Sequence, residues 1–245
     1  MTVIVKLGGS LITDKGRYRT FRRAETEAVI SNLLSFREEI VLVHGGGSFG
    51  HIKAKEYGIP GQINEKSKKG FSVIHHDMLS LNQEVSGLFI DRGFLPVSVP
   101  PANFLFKRSK ALSSFRNYMD RGFMPVTFGD VYVKNEREFG IYSGDTLVLD
   151  LARIFLPDRV IFISDVDGIY DKNPKIFPEA KLLDNPEDGA SFQFSVPDVT
   201  GGIQNKFAVM KKVRKYSKSV YLINGLKPER LLDLDSQRFI GTVIR

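Results

Sequence analysis

Three glycine-rich segments carry the residues best suited to hold a phosphate group. Residues 6–10 (KLGGS) and 44–51 (HGGGSFGH) each follow an apolar run, and residues 199–206 (VTGGIQNK) contain a third glycine pair. Glycine lets backbone N–H groups approach an anion closely, and a nearby lysine adds positive charge. A tight turn after an edge strand would explain the first segment equally well. The three segments together therefore predict an anion-binding site more strongly than any one of them does.

The second segment fits two phosphate-binding patterns imperfectly. Gly45, Gly47 and Gly50 satisfy the dinucleotide pattern G-x-G-x-x-G, and Glu65 lies 20 residues beyond Gly45. The P-loop pattern fails because His51 stands where that pattern requires lysine. Both patterns share a glycine-rich turn between a strand and a helix, which exposes backbone donors to a phosphate or carboxylate. A purely structural turn is the alternative.

His51 and Asp145 could complete such a site. At the mouth of an anion-binding loop, an imidazole could hydrogen-bond a phosphate oxygen and stabilise charge in a transition state. A lone histidine is more often a surface or packing residue, and we interpret His75 and His76 as structural. Asp145 ends an SGD turn, where it could either cap a helix or pair with lysines so that they point at a phosphoryl group.

Apolar runs alternate with helical patterns and predict the scaffold that positions these residues. Runs that are nearly all apolar are typical of strands covered on both faces, and they occur at Val3 to Leu7, Ile40 to Val43, Leu95 to Val99, Met124 to Phe128, Val160 to Ile163 and Val220 to Ile223. Helical patterns occupy Ala24 to Arg37, Lys68 to Arg92, Lys110 to Arg121, Thr146 to Phe155 and Gln204 to Ser217. We predict an α/β fold of three layers, a largely parallel central sheet between helices, formed by a single domain of residues 1–245.

Two further segments belong to this scaffold. Residues 131–142 alternate apolar and polar side chains around a charged turn, which predicts a β-hairpin. Residues 164–175 follow a predicted strand, so they would lie at the carboxyl edge of the sheet, where open α/β folds bind ligands. Residues 171–200 contain four prolines and form the most loop-like stretch.

The composition excludes several kinds of function. No cysteine occurs among the 245 residues, so a disulfide framework, a thiolate metal site and a cysteine nucleophile are excluded, and a reducing, cytoplasmic location is expected. No run is long enough for a membrane span, and the chain starts with a strand-like segment in place of a signal peptide. The net charge of +7 admits nucleic acid, an anionic membrane surface or phosphate-bearing small molecules as partners. An RNA-binding or dinucleotide-binding module without catalysis is therefore a distant alternative.

Five motifs occur in an order that resembles the amino acid kinase superfamily, over essentially the whole chain. They are the K-x-GGS loop at 6–10, the GGG loop at 45–47, the SGD turn at 143–145, the DVDGIY loop at 165–170 and the TGG…K helix at 200–206. His51, the TDK sequence at 13–15 and VTGGIQNK are similar, more narrowly, to isopentenyl phosphate kinases. This resemblance implies ATP-dependent phosphorylation of isopentenyl phosphate to isopentenyl diphosphate, in an alternative mevalonate route of isoprenoid biosynthesis. A sister kinase acting on uridylate or an amino-acid carboxylate is the alternative, and His51 is the main discriminator.

The resemblance also implies roles for individual residues. The catalytic set would be Lys6, Lys15, His51, Asp145 and Lys206. ATP would contact Lys6, Gly8, Gly9, Ser10, Gly47, Asp165, Gly168, Tyr170, Gly202 and Lys206. Of these residues, Asp165, Gly168 and Tyr170 would lie under the nucleoside. The acceptor phosphate would bind at Gly46 and His51, and Gly129 would also contact the substrate. Mg²⁺ would be held mainly through nucleotide phosphates, so no residue is named as a metal ligand.

The remaining expectations concern the acceptor pocket and the whole chain. Phe71 and Ile74 share a helical face, and Val131 and Ile141 flank the hairpin turn, so these four side chains could converge on a prenyl chain. Ordinary core packing is the alternative for each of them. Residues up to about 150 would form an acceptor-binding lobe and residues from about 151 to 245 a nucleotide-binding lobe. We expect a cytoplasmic homodimer that binds a small-molecule phosphate substrate and neither nucleic acid nor membrane.

Overall fold

A seven-stranded sheet lies at the centre of the fold. The computed structural model describes residues 1–104, 108–172, 174, 176–186 and 202–245. The strands are β1 (Thr2–Leu7), β2 (Glu39–His44), β3 (Gly61–Gln62), β4 (Pro96–Ser98), β5 (Met124–Phe128), β6 (Asp130–Asn135), β7 (Glu138–Tyr142), β8 (Arg159–Ser164), β9 (Ile169–Tyr170), β10 (Leu182–Leu183), β11 (Ser219–Asn224) and β12 (Thr242–Ile244). The central sheet has the order β12–β11–β8–β1–β2–β5–β4.

All neighbouring strands of this sheet run parallel except the pair β11 and β12, so the predicted, largely parallel sheet is confirmed. Parallel strands end at the same edge of a sheet, and the loops that follow β1, β2, β5, β8 and β11 therefore meet. Strands β6 and β7 form the predicted hairpin, which is joined by β3 in a separate three-stranded sheet.

Helices cover both faces of the central sheet. They are α1 (Gly9–Ile12), α2 (Arg23–Leu33), α3 (Gly47–Tyr57), α4 (Glu65–Asp91), α5 (Arg108–Met119), α6 (Gly144–Phe155) and α7 (Gly202–Arg214), with short 3-10 helices at Pro101–Asn103 and Pro228–Asp233. Side chains of a strand point alternately to opposite faces. Val3 and Val5 accordingly join an apolar core with α1 to α4, whereas Ile4 joins a second core with α5 to α7. The predicted three-layer arrangement is confirmed.

The structure differs from the predicted element bounds in a few places. Helix α4 starts at Glu65 and not at Lys68, because Asn64 caps it: the Asn64 side chain accepts from the N–H of Ser67 (2.9 Å), and the Ser67 hydroxyl accepts from the N–H of Asn64 (2.9 Å). Helix α2 was predicted to reach Arg37 but ends at Leu33, where a turn lets Phe36 pack against the core. Helix α7 ends at Arg214 and not at residue 217.

Two pairings were not predicted. Strand β10, inside the loop-like stretch, pairs antiparallel with β9, which directly precedes that stretch, and β12 closes the sheet antiparallel to β11. In the part of the chain that the structure describes, no helix has both the length and the apolar character needed to cross a membrane.

Candidate active site

The loops after the parallel strands are joined by hydrogen bonds between their backbones. The N–H of Gly8 donates to the carbonyl oxygen of Ile163 (2.7 Å), and the N–H of Gly45 donates to that of Leu7 (2.9 Å). The N–H of Gly129, after β5, donates to the carbonyl oxygen of strand β2's last residue (3.1 Å). The first two of the three glycine-rich segments are therefore packed side by side at the carboxyl edge of the sheet.

Glycine is required where the first two segments touch. A Cβ atom on Gly9 would lie 2.3 Å from the backbone nitrogen of Gly47. Gly47 has a φ of +48°, and a Cβ atom there would lie 1.9 Å from the Thr13 hydroxyl oxygen. A side chain at either position would push the two loops apart, so the glycines are needed for the packing as well as for any approach of an anion.

Helices begin directly after these glycines. Helix α1 begins at Gly9, α3 at Gly47, after its N-cap residue Gly46, and α7 at Gly202. The first N–H groups of a helix have no partner within it and carry partial positive charge, which favours an anion in front of them. The rest of the third glycine segment, residues 199–201, lies outside the described residues.

Asp145 is not the cap of its helix. The hydroxyl oxygen of Ser143 accepts a hydrogen bond from the N–H of Thr146 (3.1 Å) and caps α6. Asp145 lies in the first turn and forms an ion pair with the ammonium group of Lys6. Of the two uses that the sequence allowed for this carboxylate, the structure has the pairing with lysine.

The ammonium groups of Lys6 and Lys206 both lie near one aromatic ring. Alternation along β1 places Lys6 on the same face as Ile4, toward α6 and α7, and Lys6 is opposite Phe162 in the neighbouring strand. The Lys6 Nζ atom is 5.7 Å and the Lys206 Nζ atom 5.9 Å from the centroid of the Phe162 ring. The strand, the two helices and the ring thus bring two ammonium groups and one carboxylate together.

The electrostatics of this group follow from its burial. Burial alone would raise the pKa of Asp145, but the charges of Lys6 and Lys206 outweigh it and the pKa is lowered. For Lys206, burial is the main cause and the charge of Lys6 the second, and together they lower the pKa to about 8. One carboxylate does not neutralise two ammonium groups, so this corner of the site retains net positive charge.

A second lysine–aspartate pair faces the site from the other side. The Lys15 Nζ atom is 3.3 Å from Asp165 Oδ2, and the hydroxyl of Ser10 donates to Asp165 Oδ1 (2.5 Å). Burial would raise the pKa of Asp165, but the Ser10 hydrogen bond and the Lys15 charge outweigh burial and lower it. Asp165 was expected beside the nucleoside; in this structure it joins the first glycine segment to Lys15.

His51 lies in α3, just beyond the glycine turn, and is exposed to solvent. No hydrogen bond to its imidazole occurs within the described part of the chain, so both ring nitrogens are accessible to a ligand. Its pKa is lowered, first by desolvation and then by the charges of Lys6 and Lys15. The imidazole is therefore neutral at pH 7, and a neutral imidazole still donates one hydrogen bond.

The four side chains expected around a prenyl chain lie in one apolar cluster. Val131 and Ile141 are paired across the β6–β7 hairpin, and Ile74 packs with them from α4. The Phe71 ring contacts that of Phe139, with centroids 4.8 Å apart. Ile74 and Val131 are buried, whereas Phe71 and Ile141 are partly exposed. Of the four, Phe71 and Ile141 are therefore the two whose side chains are still open to a ligand.

The second glycine-rich segment, residues 44–51, contacts this cluster through one methionine. We call the segment the acceptor loop, after its expected ligand, and the cluster of Phe71, Ile74, Val131 and Ile141 the apolar wall. A Cβ atom added at Gly46 would lie 2.9 Å from the sulfur of Met78, which is buried on α4. Met78 is one of the buried apolar residues of α4, and it packs in the same core as Ile74. The helix thus connects the glycine turn before His51 with the apolar wall.

The residues expected at the nucleoside lie farther along the sheet edge. Gly168 packs against β12, because a Cβ atom there would lie 2.6 Å from the Thr242 hydroxyl oxygen. The Tyr170 hydroxyl donates to Asp167 (3.4 Å), and Arg230 forms an ion pair with the same carboxylate (2.6 Å).

Sequence reasoning missed some of the residues that build the site. Thr13 holds the first two glycine segments together: its hydroxyl donates to the carbonyl oxygen of Gly9 (2.7 Å) and accepts from the N–H of Ser48 (2.9 Å). Arg230 pairs with Asp167 from a 3-10 helix that no pattern in the sequence marks. Glu65, which the dinucleotide pattern would place at a ribose, pairs with Lys68 on the surface of α4 (2.7 Å).

Comparison with known proteins gives a consistent result. Residues 1–224 match the Amino acid kinase family. The isopentenyl phosphate kinase of Thermoplasma acidophilum is 45% identical, over 99% of this chain and 100% of that protein. The isopentenyl phosphate kinase of Methanothermobacter thermautotrophicus is 33% identical over 92% of each chain. The crystal structure of the T. acidophilum isopentenyl phosphate kinase product complex matches with a TM-score of 0.88 at 42% identity, over the full length of both chains.

Proposed function

Because the chain belongs to the amino acid kinase family, we propose that it transfers the γ-phosphoryl group of ATP to isopentenyl phosphate and so forms isopentenyl diphosphate. The membership confirms the resemblance predicted from the glycine-rich segments. The observation that carries the choice of acceptor is the position of His51: it follows the glycine turn of α3, its imidazole has no hydrogen-bond partner among the described residues, and the charges of Lys6 and Lys15 act on it.

The chemistry of a phosphate monoester suits these residues. Its second pKa is about 6, so at neutral pH an acceptor oxygen is already a nucleophile and needs no general base. Attack of that oxygen on the γ-phosphorus breaks the bond to the bridging oxygen of ATP, and ADP leaves with the electron pair of that bond. The protein has to position two anions against each other and stabilise the charge that is redistributed between them.

The lysines supply that stabilisation. Lys6 and Lys206 would contact ATP phosphates from the α6 and α7 side, and Asp145 fixes the Lys6 ammonium group by its ion pair. Lys15 would approach the transferred group from the opposite side, next to Asp165. The first-turn N–H groups of α1 and α3, at Gly9, Ser10 and Gly47, would add fixed dipoles that require no reorganisation during the reaction.

On the acceptor side, Gly46 and His51 would hold the phosphate, and Gly129 lies at the end of the adjacent strand. The prenyl chain would extend toward Phe71 and the hairpin. The acceptor lobe would comprise residues up to about 150 and the nucleotide lobe residues from about 151 to 245. Gly168, Tyr170 and Gly202 of the nucleotide lobe, together with Gly8 of the acceptor lobe, would contact ATP. We also propose that the enzyme works as a homodimer in the cytoplasm, without nucleic acid or membrane.

Mg²⁺ would enter as part of the MgATP substrate. Within the described residues, no group of three His, Asp or Glu side chains could hold a metal ion. The two carboxylates nearest the glycine turns, Asp145 and Asp165, are already paired with lysines. The donor set therefore fits an ion held by nucleotide phosphates and water, which is common for Mg²⁺, and we assign no step of catalysis to it.

An acceptor panel tests the proposal. Purified enzyme is incubated with MgATP and isopentenyl phosphate, uridylate, glutamate or acetylglutamate in turn, and ADP release and the phosphorylated product are both measured. We expect turnover with isopentenyl phosphate alone. The apolar wall leaves the polar atoms of uracil or of an amino acid without partners, which is costly in a buried pocket. Preferred turnover of uridylate or of an amino acid would assign the chain to a sister kinase instead.

A further inference from the structure

One buried carboxylate has no part in the mechanism described above. Asp77 lies on α4 and is only 1% exposed. The hydroxyl of Tyr18 donates to Asp77 Oδ2 (2.5 Å), and the guanidinium of Arg19 lies 3.2 Å from Oδ1. A weaker third partner, His76 Nδ1, is 3.5 Å from Oδ1 and comes from the same helix. Both strong partners of Asp77 thus belong to one distant segment of the chain.

That segment, residues 13–21, carries Lys15, and we call it the Lys15 loop. An antiparallel bridge between Thr13 and Phe21 closes its base. The N–H of Asp14 donates to the carbonyl oxygen of Thr20 (3.0 Å), and the Asp14 carboxylate accepts from the N–H of Gly16 (2.9 Å). Lys15 directly follows Asp14, and its ammonium group pairs with Asp165. One side of the loop therefore carries the lysine and the other side contacts Asp77.

The contact with Asp77 is energetically demanding, which argues against an incidental one. Arg19 adopts a φ of +52°, a left-handed conformation that costs about 1 kcal/mol or more for a residue other than glycine. A carboxylate as deeply buried as Asp77 is stabilised only if it is paired and hydrogen-bonded. Removing the Arg19 guanidinium would leave the buried charge of Asp77 uncompensated, and removing the Asp77 carboxylate would leave Arg19 without its counter-charge.

Neighbours of the two partners fix them further. The Arg19 guanidinium lies 5.7 Å from the centroid of Phe49, and Lys53 Nζ lies 4.8 Å from that of Tyr18. Burial, and then the hydrogen bond to Asp77, raise the pKa of Tyr18 to about 12, so its hydroxyl remains a donor at all physiological pH values. Phe49 and Lys53 flank His51 on α3, so the loop is fixed against the same helix that presents the imidazole.

We propose that Asp77 is a positioning residue: it anchors the Lys15 loop to α4 and thereby holds Lys15 opposite Asp165, facing the site of phosphoryl transfer. Asp77 touches no reacting atom and acts through the loop. The inference depends on the proposed function insofar as Lys15 stabilises the transferred group, and it adds a residue that determines where Lys15 stands.

Hydrogen exchange tests the anchor without any assay of activity. Asp77→Asn keeps an oxygen that accepts from Tyr18 but removes the charge that holds Arg19. We expect the amide of Asp14 to exchange at least about 10-fold faster in this variant, with unchanged exchange in β1 and β8, because only the loop opens. Asp91→Asn, which changes an exposed carboxylate at the C-terminal end of α4, is the matched control and should leave exchange at Asp14, β1 and β8 unchanged. Unchanged exchange at Asp14, or equal acceleration throughout β1 and β8, would overturn the anchor.

A double-mutant cycle tests whether the anchor acts through Lys15. Asp77→Asn should lower kcat for isopentenyl phosphate by about 10- to 100-fold and leave the KM for ATP unchanged, since misplacement of a catalytic group by about 1 Å has effects of that size. In a Lys15→Ala background, the same change should have almost no further effect, whereas with Lys206→Ala the two losses should multiply. Multiplication in both backgrounds would refute the proposal. If the unmodified enzyme does not use isopentenyl phosphate, the proposed function fails and the exchange experiment still decides on the anchor.

Discussion

At the scale of single residues, the site is organised by pairs of opposite charge that leave an excess of positive charge. Lys6 is paired with Asp145 and Lys15 with Asp165, whereas Lys206 forms no ion pair with a carboxylate of the described residues. Phosphoryl transfer requires this excess, because the reacting groups bring several negative charges into a small volume.

Removing the charge of Lys6 or of Lys206 should therefore slow the reaction without unfolding the protein. We expect Lys6→Ala and Lys206→Ala each to lower kcat by at least about 10²-fold, since both remove charge that is needed most in the transition state. Steady-state kinetics measure the loss, and circular dichroism checks the fold. Lys212→Ala, which removes an exposed lysine of the same helix, is the control. A folded Lys6 or Lys206 variant with near-normal turnover would remove that lysine from the catalytic set.

Lys206 should also give the reaction a pH dependence. Its pKa is lowered from the usual 10.5 to about 8, so the free enzyme loses this positive charge as the pH rises through about 8. We expect kcat/KM for ATP, which reports on the free enzyme, to fall over that range. Lys206→Arg should abolish this fall, because a guanidinium stays charged. A fall of equal size and midpoint in the arginine variant would assign the titration to another group.

His51 is expected to act as a hydrogen-bond donor. His51→Ala should abolish or severely reduce phosphorylation of isopentenyl phosphate, and His51→Gln should retain more activity because it keeps a donor. The lowered pKa of His51 agrees with this role, since the ring is neutral at pH 7 before substrate binds. Kinetics of both variants decide: equal loss would indicate a role of protonation, and unchanged kinetics in both would contradict the choice of acceptor.

At the scale of the elements, α4 links the acceptor loop, the apolar wall and the Lys15 loop. Its capping box, its stripe of buried side chains and Asp77 all lie on one continuous helix. Small changes in how α4 packs on α3 should therefore alter the position of His51, which lies on α3.

Two glycines of α4 allow this packing to be tested. A Cβ atom at Gly70 would lie 2.3 Å from the Cβ atom of Tyr57 in α3, whereas one at Gly87 would meet nothing within 4 Å. We expect Gly70→Ala to lower the free energy of unfolding by about 1–3 kcal/mol through overpacking. Gly87→Ala should raise it by about 0.5–1 kcal/mol, because alanine favours helix. Urea denaturation of both variants measures the difference in the free energy of unfolding. Destabilisation by Gly87→Ala as well would contradict the open space beside Gly87.

The apolar wall should set the length of the prenyl chain. If Phe71 lines the pocket, Phe71→Ala should raise kcat/KM for longer prenyl phosphates relative to isopentenyl phosphate, by about 0.8 kcal/mol for each further methylene that becomes buried. Ile74→Ala should have the same effect if Ile74 also faces the ligand. If either residue is only core, the change should cost about 2–5 kcal/mol of stability and leave the ratio of substrates unchanged. The ratio of kcat/KM values and the unfolding midpoint are measured on the same variants. An unchanged ratio with a lowered midpoint would show that the residue is core and does not line the pocket.

What could be predicted from the sequence depends on how local the signal is. Met124 to Phe128 is predicted with its observed bounds, because a strand buried on both faces is apolar throughout. The glycine-rich segments are also recognisable, since the close contact between Gly9 and Gly47 tolerates no other residue. The contact of Asp77 with Tyr18 and Arg19 has no such signal. It joins residues far apart in the chain and depends on a left-handed backbone at Arg19, which sequence periodicity does not reveal.

At the scale of the whole molecule, the site depends on segments from nearly the full length of the chain. Lys6 comes from the first strand, Asp145 from the sixth helix and Lys206 from the seventh. The predicted order of motifs could identify these segments, but their meeting at one edge follows from the strand order, in which β1 lies between β2 and β8.

The central place of β1 has a consequence for synthesis on the ribosome. One edge of β1 can pair with β2 soon after it is made, but the other edge pairs with Arg159 to Ile163, much later in the chain. At about 5–20 residues per second, the nascent chain keeps that apolar edge open for on the order of ten seconds. An open, apolar strand edge is a template for wrong pairing. The nascent chain is thus most exposed to aggregation before β8 emerges, and a chaperone would be of most use to it during that interval.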